Sequence, residues 1–145
     1  MKVTTCFLIT ISLLCSGSAW AADNLFKFPV KDVLARPEAQ RLSDVKFYFG
    51  DTKHPEAETK FGQDETNKKT NAFNKTERTA CEWVMLSALQ QLYKKAKSLG
   101  ANAVVNIKSN FKGIEYKSET EYECGVGALM AGVALKADFI YVKSK

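Results

Sequence analysis

The sequence predicts an α+β domain: one main helix packed on a small mixed or antiparallel sheet of four to five strands. Three observations lead there. An apolar stripe at helical spacing runs from Cys81 to Leu99. Three strand-like stretches follow Gly100 in quick succession, and alternating patterns precede a long polar segment. The predicted order is strand, long loop, helix, then three strands, with one disulfide joining helix to sheet.

The chain opens with a leader pattern. Met1-Lys2 is a short positive start, Val3 to Leu14 is largely apolar, and Gly17-Ser18-Ala19-Trp20-Ala21 ends in an Ala-x-Ala site. Residues 1–21 are read as a signal peptide cleaved before Ala22, since the apolar run is too short for a transmembrane anchor. A lipobox at Cys15 would need a small residue before it, where this chain has Leu14. Residues 22–145 then form a single exported domain, periplasmic or secreted. Its net charge is one less than the full chain's +5, because Lys2 leaves. Those charges are dispersed, which argues against nucleic acid as a partner.

Each element has its own signal. Phe26, Phe28 and Val30 alternate with Lys27 and Pro29, an edge-strand pattern because proline cannot donate to a central ladder. Pro37 to Gln40 reads as a helical turn with proline at its first position. Val45, Phe47 and Phe49 mark a better strand. Residues 50–78 carry charges of both signs and only Phe61 and Phe73 as large apolar side chains. They are read as a mobile loop, acidic early (Asp51, Glu56, Glu58, Asp64, Glu65) and basic late (Lys68, Lys69, Lys75, Arg78). Thr79-Ala80-Cys81-Glu82 fits a capping box, and Gly100 a helix C-terminal cap. Ala101 to Ile107, Thr120 to Cys124 and Val133 to Val142 are the three closing strands.

After the leader, Cys81 and Cys124 are the remaining cysteines, and an even pair in an oxidising compartment predicts a disulfide. Period two places Glu119, Glu121 and Glu123 on one strand face, a candidate cation-binding row. Its bland counterpart is a solvated face balanced by Lys117. His54 is the single histidine and lies in the loop, where it reads as inert surface. Gly127 to Gly132 matches the first half of a phosphate loop, but Val133 and Ala134 stand where lysine and a hydroxyl are required, so no nucleotide is expected. Gly125 to Leu135 is uncharged. It is read as a buried bend with Leu129 and Met130 in the core, the alternative being an exposed interface of Leu129, Met130 and Val133 that supports oligomerisation.

Cys81-Glu82-Trp83, the run Lys95 to Val105, and Tyr122-Glu123-Cys124 resemble small exported bacterial proteins that carry the label "excinuclease ATPase subunit". The resemblance extends to Val45-Lys46-Phe47-Tyr48 and Lys69-Thr70-Asn71, so it covers most of the exported chain. It implies no activity, and the label itself does not fit an exported chain without a phosphate-loop lysine. More distantly, the helix followed by Gly100-Ala101-Asn102-Ala103-Val104-Val105 is similar to the oligomeric YbjQ-like domain and to the stress-sensor lipoprotein of the Rcs phosphorelay. That likeness bears on fold.

Together these readings suggest a non-catalytic exported interaction module for an envelope protein. The alternative is a small-ligand or cation-binding protein that uses the Glu119–Glu123 face or a cleft under the 50–78 loop. An enzyme ranks third, and no cofactor or metal is expected.

Overall fold

The computed structural model describes residues 24 to 143. The leader, its cleavage position, Cys6 and Cys15 lie outside the described residues. Ten elements follow one another: β1 (Asn24–Pro29), α1 (Val30–Leu34), a 3-10 turn (Pro37–Leu42), β2 (Lys46–Phe49), β3 (Thr59–Asn71), α2 (Glu77–Leu99), β4 (Ala103–Phe111), β5 (Ile114–Tyr116), β6 (Glu121–Val126) and β7 (Met130–Tyr141). One long helix and a mixed seven-stranded sheet, curled into a half-barrel, make up the domain.

Strand β7 is the spine. Along one side it pairs antiparallel with β3 over its whole length, Thr59 opposite Tyr141 through Asn71 opposite Met130. Along its other side the first residues pair with β6 and the later ones with β4, so those two strands diverge from one partner. Strand β1 adds to β6 and β2 adds to β4, the latter in parallel. A parallel pair needs a crossover, and the segment carrying α2 provides it. As expected of a strand that ends in proline, β1 occupies an edge.

The long helix buries one face. Ala80, Cys81, Val84, Met85, Ala88, Leu89, Leu92 and Ala96 are buried and meet Val133, Leu135, Ala137 and Phe139 in one core. Each fully buried Leu or Met side chain stabilises the fold by about 1.5–3 kcal/mol relative to exposure. The helix ends at Gly100, in the left-handed conformation with φ 78°, as its sequence position predicts. Its start lies three residues ahead of the expected cap. The Thr76 hydroxyl accepts from the Thr79 amide, so Thr76 takes the capping role assigned to Thr79.

Two strands exceed the expected four to five. One is β5, a short addition to β4. The other is β3, and its presence corrects the reading of residues 50–78 as a continuous loop. Of its thirteen residues Thr66 is the one that is buried. A polar edge strand is held by its backbone ladder to β7, so the alternation of apolar side chains that reveals half-buried strands is absent.

Candidate functional site

The sheet face turned away from α2 carries two irregularities that oppose the same stretch of β7. In β4 the register shifts between Val105 and Lys108, and Asn106 there adopts φ 51°, a left-handed conformation that asparagine tolerates. In β3 the register shifts between Lys60 and Gly62, with Gly62 at φ 92°. Bulges of this kind re-aim side chains and are frequent beside functional sites. Both meet Asp138. The Asn106 side-chain amide donates to Oδ2 at 3.0 Å and the Gln63 amide donates to Oδ1 at 3.1 Å. One carboxylate thus joins the two strands that flank β7.

Residues 50–58 fold back over this face. The Thr52 hydroxyl donates to the Phe49 carbonyl at 2.6 Å, and the Glu58 amide donates to the Tyr141 carbonyl at 2.9 Å. Ala57 packs on a small second cluster formed by Ala103, Val105 and Ile140. The His54 ring tilts against Tyr48, with centroids 5.6 Å apart. His54 Nδ1 lies 2.8 Å from the Pro55 carbonyl, which only accepts, so Nδ1 carries a hydrogen. The result is a cavity of about 600 Å³ between segment and sheet. Ala57, Val105 and Ile140 supply its apolar lining, and His54, Glu56, Lys60, Asn106 and Asp138 its polar lining. Sequence reading treated His54 as inert surface; the fold places it on the wall of this cavity. A cleft beneath the 50–78 segment was among the expectations, although its lining was not legible.

Beside the cleft runs a chain of charges. Lys108 contacts Glu115 at 2.8 Å, Lys136 contacts Glu115 at 3.0 Å, and Glu65 lies 3.6 Å from Lys136. The two lysines hold the Glu115 carboxyl below its ordinary range, and Glu115 in turn holds the Lys136 ammonium above its own. Glu65 and Glu115 are solvated, whereas the side chains of Lys108 and Lys136 are mostly covered, and with one partner of each pair in solvent the pairs fix orientation more than stability.

The three glutamates expected in one row differ in burial. Glu119 precedes β6 and is exposed, and with Glu121 it lines a different cavity of about 460 Å³ near Phe47 and Phe49. Glu121 accepts a hydrogen bond from the Tyr116 hydroxyl at 3.1 Å. Glu123 is buried, 7 % exposed, opposite Lys27 in the β1–β6 register. Burial pushes its carboxyl up, while the positive charge of Lys27 opposes that rise. Glu121 and Glu123 both lie in β6 beside β1, whereas Glu119 precedes the strand. Among the described residues no three His, Cys, Asp or Glu side chains converge as a metal site would require.

The segment Gly125 to Leu135 divides. Val133 is fully buried against the helix, whereas Leu129 is 61 % and Met130 47 % exposed. This corrects the expectation that Leu129 and Met130 fill the core. The Ala72 amide donates to the Leu129 carbonyl at 2.8 Å, which places both residues at the tip where β3 leaves β7. There Phe73, 60 % exposed, adds a third apolar side chain. The expected disulfide is present: Cys81 in the first turns of α2 is bonded to Cys124 in β6, with Cα atoms 5.9 Å apart. No helix among the described residues is long and apolar enough to cross a membrane.

Comparisons with protein-family models, with curated proteins and with solved structures each returned no match.

Proposed function

We propose that this protein is an exported binding module that acts through contacts rather than by catalysis, and that the cleft beneath residues 50–58 takes a small polar ligand. The observation that carries the reading is the pair of register shifts, in β3 and β4, on either side of β7 near Asp138 under a folded-back segment, with a cavity that has an apolar floor and polar walls. Binding sites for small molecules commonly combine such a floor with a few placed polar groups, within about 300–1,000 Å³. Glu56 and Asp138 suit an ammonium group, and Lys60 with His54 suits a carboxylate. The chemistry of the lining therefore favours a zwitterion of amino-acid or dipeptide size. Export is supported by the leader pattern and by the disulfide, which belongs in an oxidising compartment.

Thermal unfolding of the exported chain with free amino acids and dipeptides tests this. A ligand that binds the folded state raises stability by about 2.7 kcal/mol at one hundred times its dissociation constant. The rise is expected to vanish in Lys60→Ala and Glu56→Ala, whose side chains are exposed and whose loss leaves the fold intact. The absence of any shift across the set would contradict the reading.

A second reading, docking of an envelope protein, is favoured by the exposed tip of Phe73, Leu129 and Met130. Cross-linking at Leu129 in whole cells, with no small-molecule effect on unfolding, would favour it over the cleft.

A further inference from the structure

Strand β3 pairs with β7 on one side, and among the described residues no strand pairs with its other side. A sheet edge thirteen residues long is a template for another strand. We propose that the partner is a second copy of this chain, joined by antiparallel β3–β3 pairing about a two-fold axis at Asn67.

The register follows from the backbone. The Ala72 amide points to β7, where it bonds the Leu129 carbonyl. Counting back by two, the amides of residues 70, 68, 66 and 64 also face β7, so those of 63, 65, 67, 69 and 71 face outward. The Lys75 ammonium donates to the Asn71 carbonyl from that outer side, in agreement. The register shift at Lys60–Gly62 ends the regular stretch, leaving Gln63 to Asn71 as the straight edge, with Asn67 at its centre. A two-fold axis there uses every outward amide of the stretch. Residues opposite each other across the axis have numbers of like parity and so share a face of the joined sheet.

Charge selects the same arrangement. Within the straight edge from Gln63 to Asn71 the acids come first and the bases last, so antiparallel self-pairing sets unlike charges opposite. With Asn67 at the centre, Glu65 of each copy faces Lys69 of the other, giving two symmetric pairs on the outer face. A parallel arrangement in register would stack like charges instead. Two exposed contacts must be exchanged for the ladder: the Asp64 carboxylate on the Glu65 amide, at 2.8 Å, and Lys75 on the Asn71 carbonyl. Asp64 is also paired with Lys95 at 3.2 Å and keeps that contact when it releases the Glu65 amide, and the strand pairing replaces the two exchanged contacts with backbone hydrogen bonds. The inference is independent of the cleft, which lies on a sheet face and not at this edge.

Sedimentation velocity on the exported chain over a range of concentrations tests it, with circular dichroism as the check of folding. The wild type is expected to dimerise. Asn67→Pro removes an outward amide without touching the β7 ladder, and it should give a folded monomer. Lys69→Glu sets glutamate against Glu65 and should weaken dimerisation about tenfold or more, and Glu65→Lys combined with Lys69→Glu should restore it. A wild type monomeric at every concentration, or a dimer indifferent to both Asn67→Pro and Lys69→Glu, would overturn the proposal.

Discussion

Phe111 rests against Gly125 so closely that a Cβ on the glycine would come within 2.0 Å of the ring. Phe111 ends β4 and Gly125 lies in β6, the two strands that leave the same side of β7. The aromatic ring fills the wedge where they part, and glycine is the residue that leaves room for it. Gly125→Ala is expected to destabilise by about 1–3 kcal/mol through overpacking, measured by urea unfolding. Phe111→Leu in the same chain should recover part of that loss, because the two sites are in contact and their effects are not additive.

The apolar tip and the buried strand make opposite predictions for neighbouring residues. Met130→Asp changes an exposed side chain and should alter stability by no more than about 0.5 kcal/mol. Val133→Asp buries an unpaired charge against the helix and should prevent stable folding. Melting temperatures of the two variants check this; a large loss in Met130→Asp would mean the tip is packed.

The Cys81–Cys124 bond closes a separation of 43 residues. Thiol titration of the denatured, unreduced protein should find no free thiol at these positions. Replacing both with alanine should cost about 2–4 kcal/mol and lower the melting temperature by roughly 10 °C. Two titratable thiols would contradict the pairing.

Glu123 gives stability a pH dependence of known sign. Burial raises its carboxyl above the unfolded value, so the folded state holds the proton more tightly. Its ionisation therefore costs stability at neutral pH, and the cost is relieved as pH falls through the raised value toward the ordinary carboxylate range. Glu123→Gln should be more stable than wild type at pH 7, with the gain shrinking on acidification. A constant difference across pH would show that the carboxylate is not desolvated.

What was legible in the sequence was whatever depended on apolar side chains. The stripe from Cys81 to Leu99 identified α2, Gly100 its end, and inward-facing cysteines the disulfide. Strand β3 escaped because backbone bonds hold it and its side chains are mostly solvated. For the glutamate row, period two predicts a shared face but neither that Glu119 falls outside the strand nor that Glu123 is buried where Glu121 is not. Met130 read as core because Gly125 to Leu135 is uniformly apolar, and composition does not tell a strand's buried middle from its exposed tip. The cleft was hidden in the two bulges, since neither Asn106 nor Gly62 carries a sequence signal for the register shift it permits.

The most direct test of a binding cleft is to map where a ligand acts. Amide 1H–15N spectra recorded while amino acids and dipeptides are titrated into the exported chain should show saturable shifts at His54, Lys60, Asn106 and Asp138, which line the cavity. Residues of the distant tip, Phe73, Leu129 and Met130, should stay in place. Shifts confined to the tip, or none at any residue, would contradict the account.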